Sequence, residues 1–163
     1  FEVADQVLMM DEYVLKDVTE EAKAIAHSTG YERDMISQQS FGNIPSRVPL
    51  TSSFTKKGKD GRLKAKGQHA VMYGKEPIDI SGLEQLVDDS QTNCLAMMLD
   101  YMQRHKVNNE QTIVEIVDAV YQLIDEQGLE AMSHHQGHPG NLALPRKQEL
   151  IGTLNRYRGL HVK

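Results

Sequence analysis

Two amphipathic helical patterns joined by a short polar link constrain the fold of this chain more than any other feature. Apolar side chains recur at the spacing of one helix face over residues 83–104, and again over residues 109–128. Ser81 and Glu84 stand at the spacing of a capping box before the first pattern. The second pattern runs from a capping asparagine to a terminating glycine. Because the link is short, we expect an antiparallel helical hairpin.

Short strand candidates lie ahead of this hairpin. Near the N-terminus, residues 7–10 predict a buried strand and residues 19–27 predict a helix. Near the other end of the sequence, residues 145–159 predict a final helix that begins with proline. The fold class expected from this order is α+β, with a short β unit followed by a helical hairpin and a C-terminal helix. In the middle third, glycines and an Asp-Gly turn separate short apolar runs. These runs predict strands at residues 48–54, 63–66, 69–73 and 78–80.

Size and composition limit the class of protein without indicating any chemistry. A chain of 163 residues suits one domain, or one domain with a fragment of another. The single cysteine, Cys94, excludes an internal disulfide. No apolar run approaches the roughly 20 residues of a membrane span. We therefore expect a cytoplasmic protein with no membrane partner.

The motifs of nucleotide-binding and hydrolytic enzymes do not occur in this sequence. It contains no GxxxxGK[ST], GxGxxG or GxSxG motif, and the basic residues 56–59 lack the strand-loop-helix context of a phosphate loop. His134, His135 and His138 offer imidazoles suited to zinc, but no HExxH motif or cysteine pair accompanies them. A solvated loop is the favoured interpretation of these histidines. We expect no catalytic residue, metal site or cofactor in this chain.

Charge is arranged in blocks along the chain. Residues 47–75 carry eight Lys or Arg against one acidic residue, between two acidic blocks. Cations on strands can follow a phosphate backbone, and the neighbouring rings of Phe54 and Tyr73 could stack on bases. The alternative is an ordinary solvated surface. The candidate nucleic-acid contacts are Arg47, Lys56, Lys57, Lys59, Arg62, Lys64 and Lys66.

Three stretches of the sequence resemble one protein family. They are residues 1–11 leading into 17–23, residues 78–88 with 90–92, and residues 145–156, of which the second is the most specific. Together they resemble the C-terminal part of the predicted ATPase of the ABC class family, whose members are soluble and are not transporters.

The resemblance implies that the chain is a fragment of a larger ATPase. Residues 1–30 would be the last strand and helix of an ATP-binding core, and residues 31–163 a C-terminal accessory domain. The ATP and Mg²⁺ site of the parent would lie upstream, so this fragment would be non-catalytic. A strand at residues 7–10 cut from such a core is expected to be disordered, packed in a substitute position or paired with another copy.

The resemblance also implies partners, namely the upstream ATPase core, a second subunit and, in some members, RNA. One hypothesis is an accessory domain for RNA contact. The alternative is a protein-interaction or dimerisation module, which an exposed surface of Met97, Met98 and Met102 would favour. Ser81 and Glu84 have a simpler interpretation as helix caps. The polar residues expected to face the core or a second subunit are Asp79, Ser81, Glu84, Gln85 and Gln91.

Overall fold

The chain divides into two compact units, Phe1–Ile44 and Pro45–Lys163. The described residues form two small antiparallel sheets and four α-helices, which confirms the predicted α+β class. The domain boundary expected after residue 30 lies outside the described residues. The computed structural model describes residues 4–29, 45–55, 61–133 and 140–163.

The first unit contains a β-hairpin and a helix. Strand β1 (Leu8–Asp11) pairs with β2 (Val14–Asp17), and α1 spans Thr19–Ser28. The predicted strand and helix are confirmed as β1 and α1, but β2 was not predicted. The prediction that the first strand is buried is wrong, because Leu8, Met9 and Met10 are all exposed. Glu12 and Tyr13 make the turn at positive φ values of 48° and 67°. Within the described residues β1 is thus one of two paired strands, not the centre of a larger sheet.

The second unit contains a three-stranded sheet with one buried face. The predicted strands that follow residue 62 are confirmed as β3 (Leu63–Lys66), β4 (Ala70–Tyr73) and β5 (Glu76–Asp79), in the order β3-β4-β5. Val71 opposes Ala65 on one side and Ile78 on the other. These residues face the core, because alternate residues of a strand point to opposite faces.

Three helices complete the second unit. Helix α2 (Asp89–His105) packs against β3 and β4, whereas α4 (Lys147–Arg156) packs against β5. Helix α3 (Ile113–Gln127) contacts both α2 and α4, and it ends at Gly128 as predicted. The methionine surface that would favour an interaction module is not formed. Met98 and Met102 are fully buried, and Met97 packs against the core.

The predicted start of α2 at Ser81 is wrong. Ser81 donates both its hydroxyl and its backbone N–H to Asp79 Oδ1, at 2.7 and 2.9 Å, so it closes a turn. The helix instead begins after Asp88, whose side chain caps it, while Gln91 Oε1 accepts from the Asp88 N–H at 3.3 Å. Both four-residue stretches match a capping box, and the second one forms it.

The strand predicted at residues 48–54 is also wrong. Thr51–Phe54 is a 3₁₀ turn, and only Pro49 makes a β-bridge, to Val162. Val48 and Lys163 exchange backbone hydrogen bonds of 2.9 and 3.0 Å. The segment therefore pairs with the C-terminal residues and not with the sheet.

Two helix starts differ from their predictions by short distances. Thr112, not Asn109, caps α3, because Asn109 Oδ1 accepts from the Thr51 N–H at 2.7 Å. Helix α4 begins at Lys147, two residues after Pro145. The capping side chain of Glu149 reaches back to the Arg146 N–H at 3.1 Å and fixes this start.

Candidate nucleic-acid interface

The outer face of the three-stranded sheet carries the described part of the basic strip. Lys64 and Lys66 are exposed on β3, whereas Leu63 and Ala65 point inward and pack on the core. Arg62 precedes the strand by one residue and is also exposed. Because alternate residues of β3 point to opposite faces and α2 packs on the inner face, these cations lie on the outer face, along the β3 edge of the sheet.

Two cross-strand rows connect the lysines to the opposite edge of the sheet. Lys64 opposes Met72, which opposes Pro77 on β5. Lys66 likewise opposes Ala70, which opposes Asp79. Neighbouring strands lie about 4.8 Å apart, so each row spans about 10 Å. The outer face is therefore a platform with cations on its β3 edge.

A groove of about 610 Å³ borders the β5 edge of this platform. Arg156 lies at the end of α4 and donates from Nη1 to the Gly152 carbonyl at 3.1 Å. Arg158 is exposed and forms no ion pair with another described residue. The groove thus combines guanidinium and carboxylate groups. Its lining residues are Glu76, Pro77, Asp79, Ser81, Gly82, Arg156 and Arg158.

Asp79 is an ionised hydrogen-bond acceptor in this groove. The hydroxyl and backbone N–H of Ser81 lower the pKa of Asp79, and the charges of Arg156 and His69 lower it further. Both bonds from Ser81 go to Oδ1. In the described part of the chain, no donor bonds to Oδ2, which leaves that oxygen available to a ligand.

A buried hydrogen-bond network fixes the C-terminal segment that carries Arg158. The Tyr157 hydroxyl donates to the Ser53 carbonyl at 2.6 Å, and Ser53 Oγ accepts from the His161 N–H at 2.8 Å. Arg47 precedes the residue that pairs with Lys163, so it lies beside the C-terminus. Arg47 is exposed there.

The predicted base-stacking role of the aromatic residues is wrong for Tyr73. Its ring is 1% exposed and packs edge-on against Phe54 and Tyr157, at centroid distances of 6.1 and 5.5 Å. Phe54 stacks on Tyr157 at 5.6 Å. The three rings belong to the core, because Tyr73 points to the inner face of the sheet.

The predicted interface residues are only partly brought together. Asp79 and Ser81 line the groove, whereas Gln91 is used in the cap of α2. Glu84 and Gln85 are exposed in the turn before α2.

Sequence reasoning missed Arg156 and Arg158. The excess of positive charge in the last 30 residues was the available signal. Local sequence does not show that these two residues lie beside β5.

Several predicted residues lie outside the part of the chain that the structure describes. They are Lys56, Lys57 and Lys59 of the basic strip and His134, His135 and His138. Among described residues, no group of three or more His, Cys, Asp or Glu side chains is placed to hold a metal ion. None of the described helices combines the length and apolarity needed to cross a membrane.

Comparison with known proteins corrects the family expected from the sequence. The family model described as the MRB1590 C-terminal domain matches residues 62–163, and no curated protein matches the chain. The resemblance to an ABC-class ATPase family, with its ATPase parent, is therefore wrong. Its most specific stretch, residues 78–88 with 90–92, covers the end of β5, a turn and the cap of α2. The turn and the cap are local features that unrelated folds share. Because the matched residues make up more than half of its length, the chain belongs to the MRB1590 C-terminal domain family.

Proposed function

We propose that this domain contacts single-stranded RNA through the outer face of its three-stranded sheet. The observation that carries the proposal is the row of Arg62, Lys64 and Lys66, which are all exposed along one edge of that face. Membership of the MRB1590 C-terminal domain family supports an RNA-associated interaction domain. The chain carries a net charge of −5, so contact with RNA requires a local concentration of cations such as this one.

A single strand suits this face better than a duplex, because its bases are free to contact the sheet. Residues two apart on a strand are separated by about 6.8 Å, so Arg62, Lys64 and Lys66 form a row of evenly spaced cations. An unstacked strand with splayed bases exposes base edges that a duplex keeps paired. The cation row therefore suits an extended backbone, with bases directed across the sheet toward the groove.

Fluorescence anisotropy with a labelled single-stranded RNA of about 12 nucleotides tests this proposal. Replacing the three cations of the row with glutamine should weaken binding at least tenfold, because three phosphate contacts are lost. A control with the same change in net charge replaces Lys16, Lys23 and Lys147, which belong to β2, α1 and α4 and not to the three-stranded sheet. This control should bind RNA nearly as well as the parent chain.

Two results would contradict the proposal. The parent chain could show no RNA binding at moderate salt, or the two triple variants could weaken binding equally. Sedimentation velocity on the same samples tests the alternative function, which is protein interaction or dimerisation. Self-association without RNA binding would identify a dimerisation module, as the sequence also allowed.

A further inference from the structure

We infer that the groove beside β5 receives one guanine base of the bound RNA, whose polar edges contact Asp79 and Arg158. The inference rests on the proposed RNA contact and assigns base selection to residues outside the basic strip. Asp79 and Arg158 both line the groove, and each has hydrogen-bonding capacity that no described residue uses.

The Asp79 carboxylate argues against a simple phosphate site. Two guanidinium groups, of Arg156 and Arg158, line the groove together with this ionised carboxylate. A phosphate would be opposed by the negative charge of Asp79. A neutral ligand that offers both hydrogen-bond donors and acceptors matches these groups better. A nucleobase is such a ligand.

Guanine matches the two groups most completely among the four bases. Its O6 and N7 are adjacent acceptors that an arginine can bind in bidentate geometry, the commonest specific contact to a base. Its N1–H and exocyclic amine are adjacent donors, and a carboxylate oxygen can accept hydrogen bonds from both. Adenine presents one amine and no neighbouring pair of donors. The groove volume of about 610 Å³ lies within the range of about 300–1,000 Å³ for small-molecule sites.

The position of the groove agrees with a strand held at the opposite edge. Pro77 lines the groove and is the last residue of the row that begins at Lys64. A backbone that follows the β3 edge would therefore direct a base across about 10 Å of sheet. Met72 and Ala70, which are partly buried, give that path an apolar floor.

Asp79→Asn is the sharpest test of this inference. Asparagine keeps an oxygen for the two bonds from Ser81 but places an amide donor where Oδ2 stood. Anisotropy is measured with a uridine oligomer that carries one central guanosine, adenosine or inosine. The parent chain should bind the guanosine oligomer about tenfold more tightly than the adenosine oligomer. Inosine, which lacks the exocyclic amine, should lie between them.

The variants should then separate base selection from backbone binding. Asp79→Asn should abolish the preference for guanosine and leave the adenosine oligomer unaffected. Arg158→Lys keeps the charge but removes the bidentate fork, so it should reduce the preference without changing the salt dependence. Asp125→Asn, on the exposed side of α3, is the matched control and should keep the preference.

Each outcome decides between the two proposals. Equal affinity of the parent chain for the guanosine and adenosine oligomers would overturn the guanine inference and leave RNA contact standing. A preference that survives both Asp79→Asn and Arg158→Lys would also overturn it. No binding of any oligomer would overturn the proposed function itself. Arg158 is exposed, so its variant provides the test even if Asp79→Asn fails to fold.

Discussion

Removing the hydroxyl of Tyr157 should destabilise the second unit by about 1.5 kcal/mol. This hydroxyl donates to the Ser53 carbonyl at 2.6 Å, and both residues are buried, at 6% and 4% exposure. A typical hydrogen bond contributes about 1 kcal/mol, and a buried acceptor left without its partner costs about 1–3 kcal/mol. Tyr157→Phe keeps the ring and its packing on Phe54 and Tyr73, so the hydrogen bond is the main change.

Urea unfolding followed by far-ultraviolet circular dichroism measures the effect. Tyr121→Phe is a matched variant, since its buried hydroxyl donates to the Pro145 carbonyl at the same distance of 2.6 Å. It should lose a similar free energy of unfolding. Tyr13→Phe is the unperturbed control, because Tyr13 is 99% exposed, and its change should stay within about 0.5 kcal/mol.

The pH dependence gives a second readout of the same bond. Burial raises the pKa of Tyr157 from 10.0 to about 12. A raised pKa in the folded state favours the protonated hydroxyl, so its contribution is full below pH 10 and is lost as the pH rises toward 12. In Tyr157→Phe, the free energy of unfolding should therefore fall less steeply between pH 10 and 12 than in the parent chain. If Tyr157→Phe unfolds at the same urea concentration as Tyr13→Phe, the hydrogen bond does not hold the C-terminal segment in place.

Three further predictions concern the core and the helix caps. Asp88→Ala should lower the free energy of unfolding by about 1 kcal/mol, because it removes the side-chain cap of α2. A urea midpoint that shifts no more than that of an exposed-surface variant would contradict this prediction. Cys94 is fully buried, and desolvation raises the pKa of its thiol to about 12. The thiol should therefore react with a disulfide reagent only after unfolding. Reaction in native buffer would contradict this prediction and show that the core opens. The hydrogen bond and charge of Arg146 lower the pKa of Glu149, so this pair should stabilise the fold above pH 4.5 and lose its effect as the pH falls. Arg146→Gln should therefore make the free energy of unfolding less sensitive to pH between about 5 and 3. The same pH dependence in the variant and the parent chain over this range would refute the pairing.

Periodic and local signals explain which parts of the fold were predictable. Helix α3 was recognised because its apolar face and terminating Gly128 are encoded in consecutive residues. The start of α2 was not predicted correctly, because two stretches of the sequence match a capping box. The first of them does not cap the helix, since the Ser81 hydroxyl donates to Asp79 instead. Strand β2 was missed since its turn uses Glu12 and Tyr13 at positive φ, without the Asn or Gly that usually marks such turns.

Long-range pairing explains the rest. Residues 48–50 look like a strand, yet their partners are the C-terminal residues 161–163, more than a hundred positions away. The basic residues of β3 were found from charge alone. Their placement on an open face, opposite Arg158, depends on how β5 and α4 pack together. Such placement is a tertiary property that a single sequence does not display.

The salt dependence of RNA affinity tests the central claim most directly. For single strands, the slope of log K against log salt concentration changes by about 0.7 for each phosphate contact. Replacing Arg62, Lys64 and Lys66 with glutamine should therefore make the slope shallower by about 2. The control variant of Lys16, Lys23 and Lys147 should keep the slope of the parent chain. Equal slopes for all three proteins would contradict an RNA interface on the outer face of the sheet.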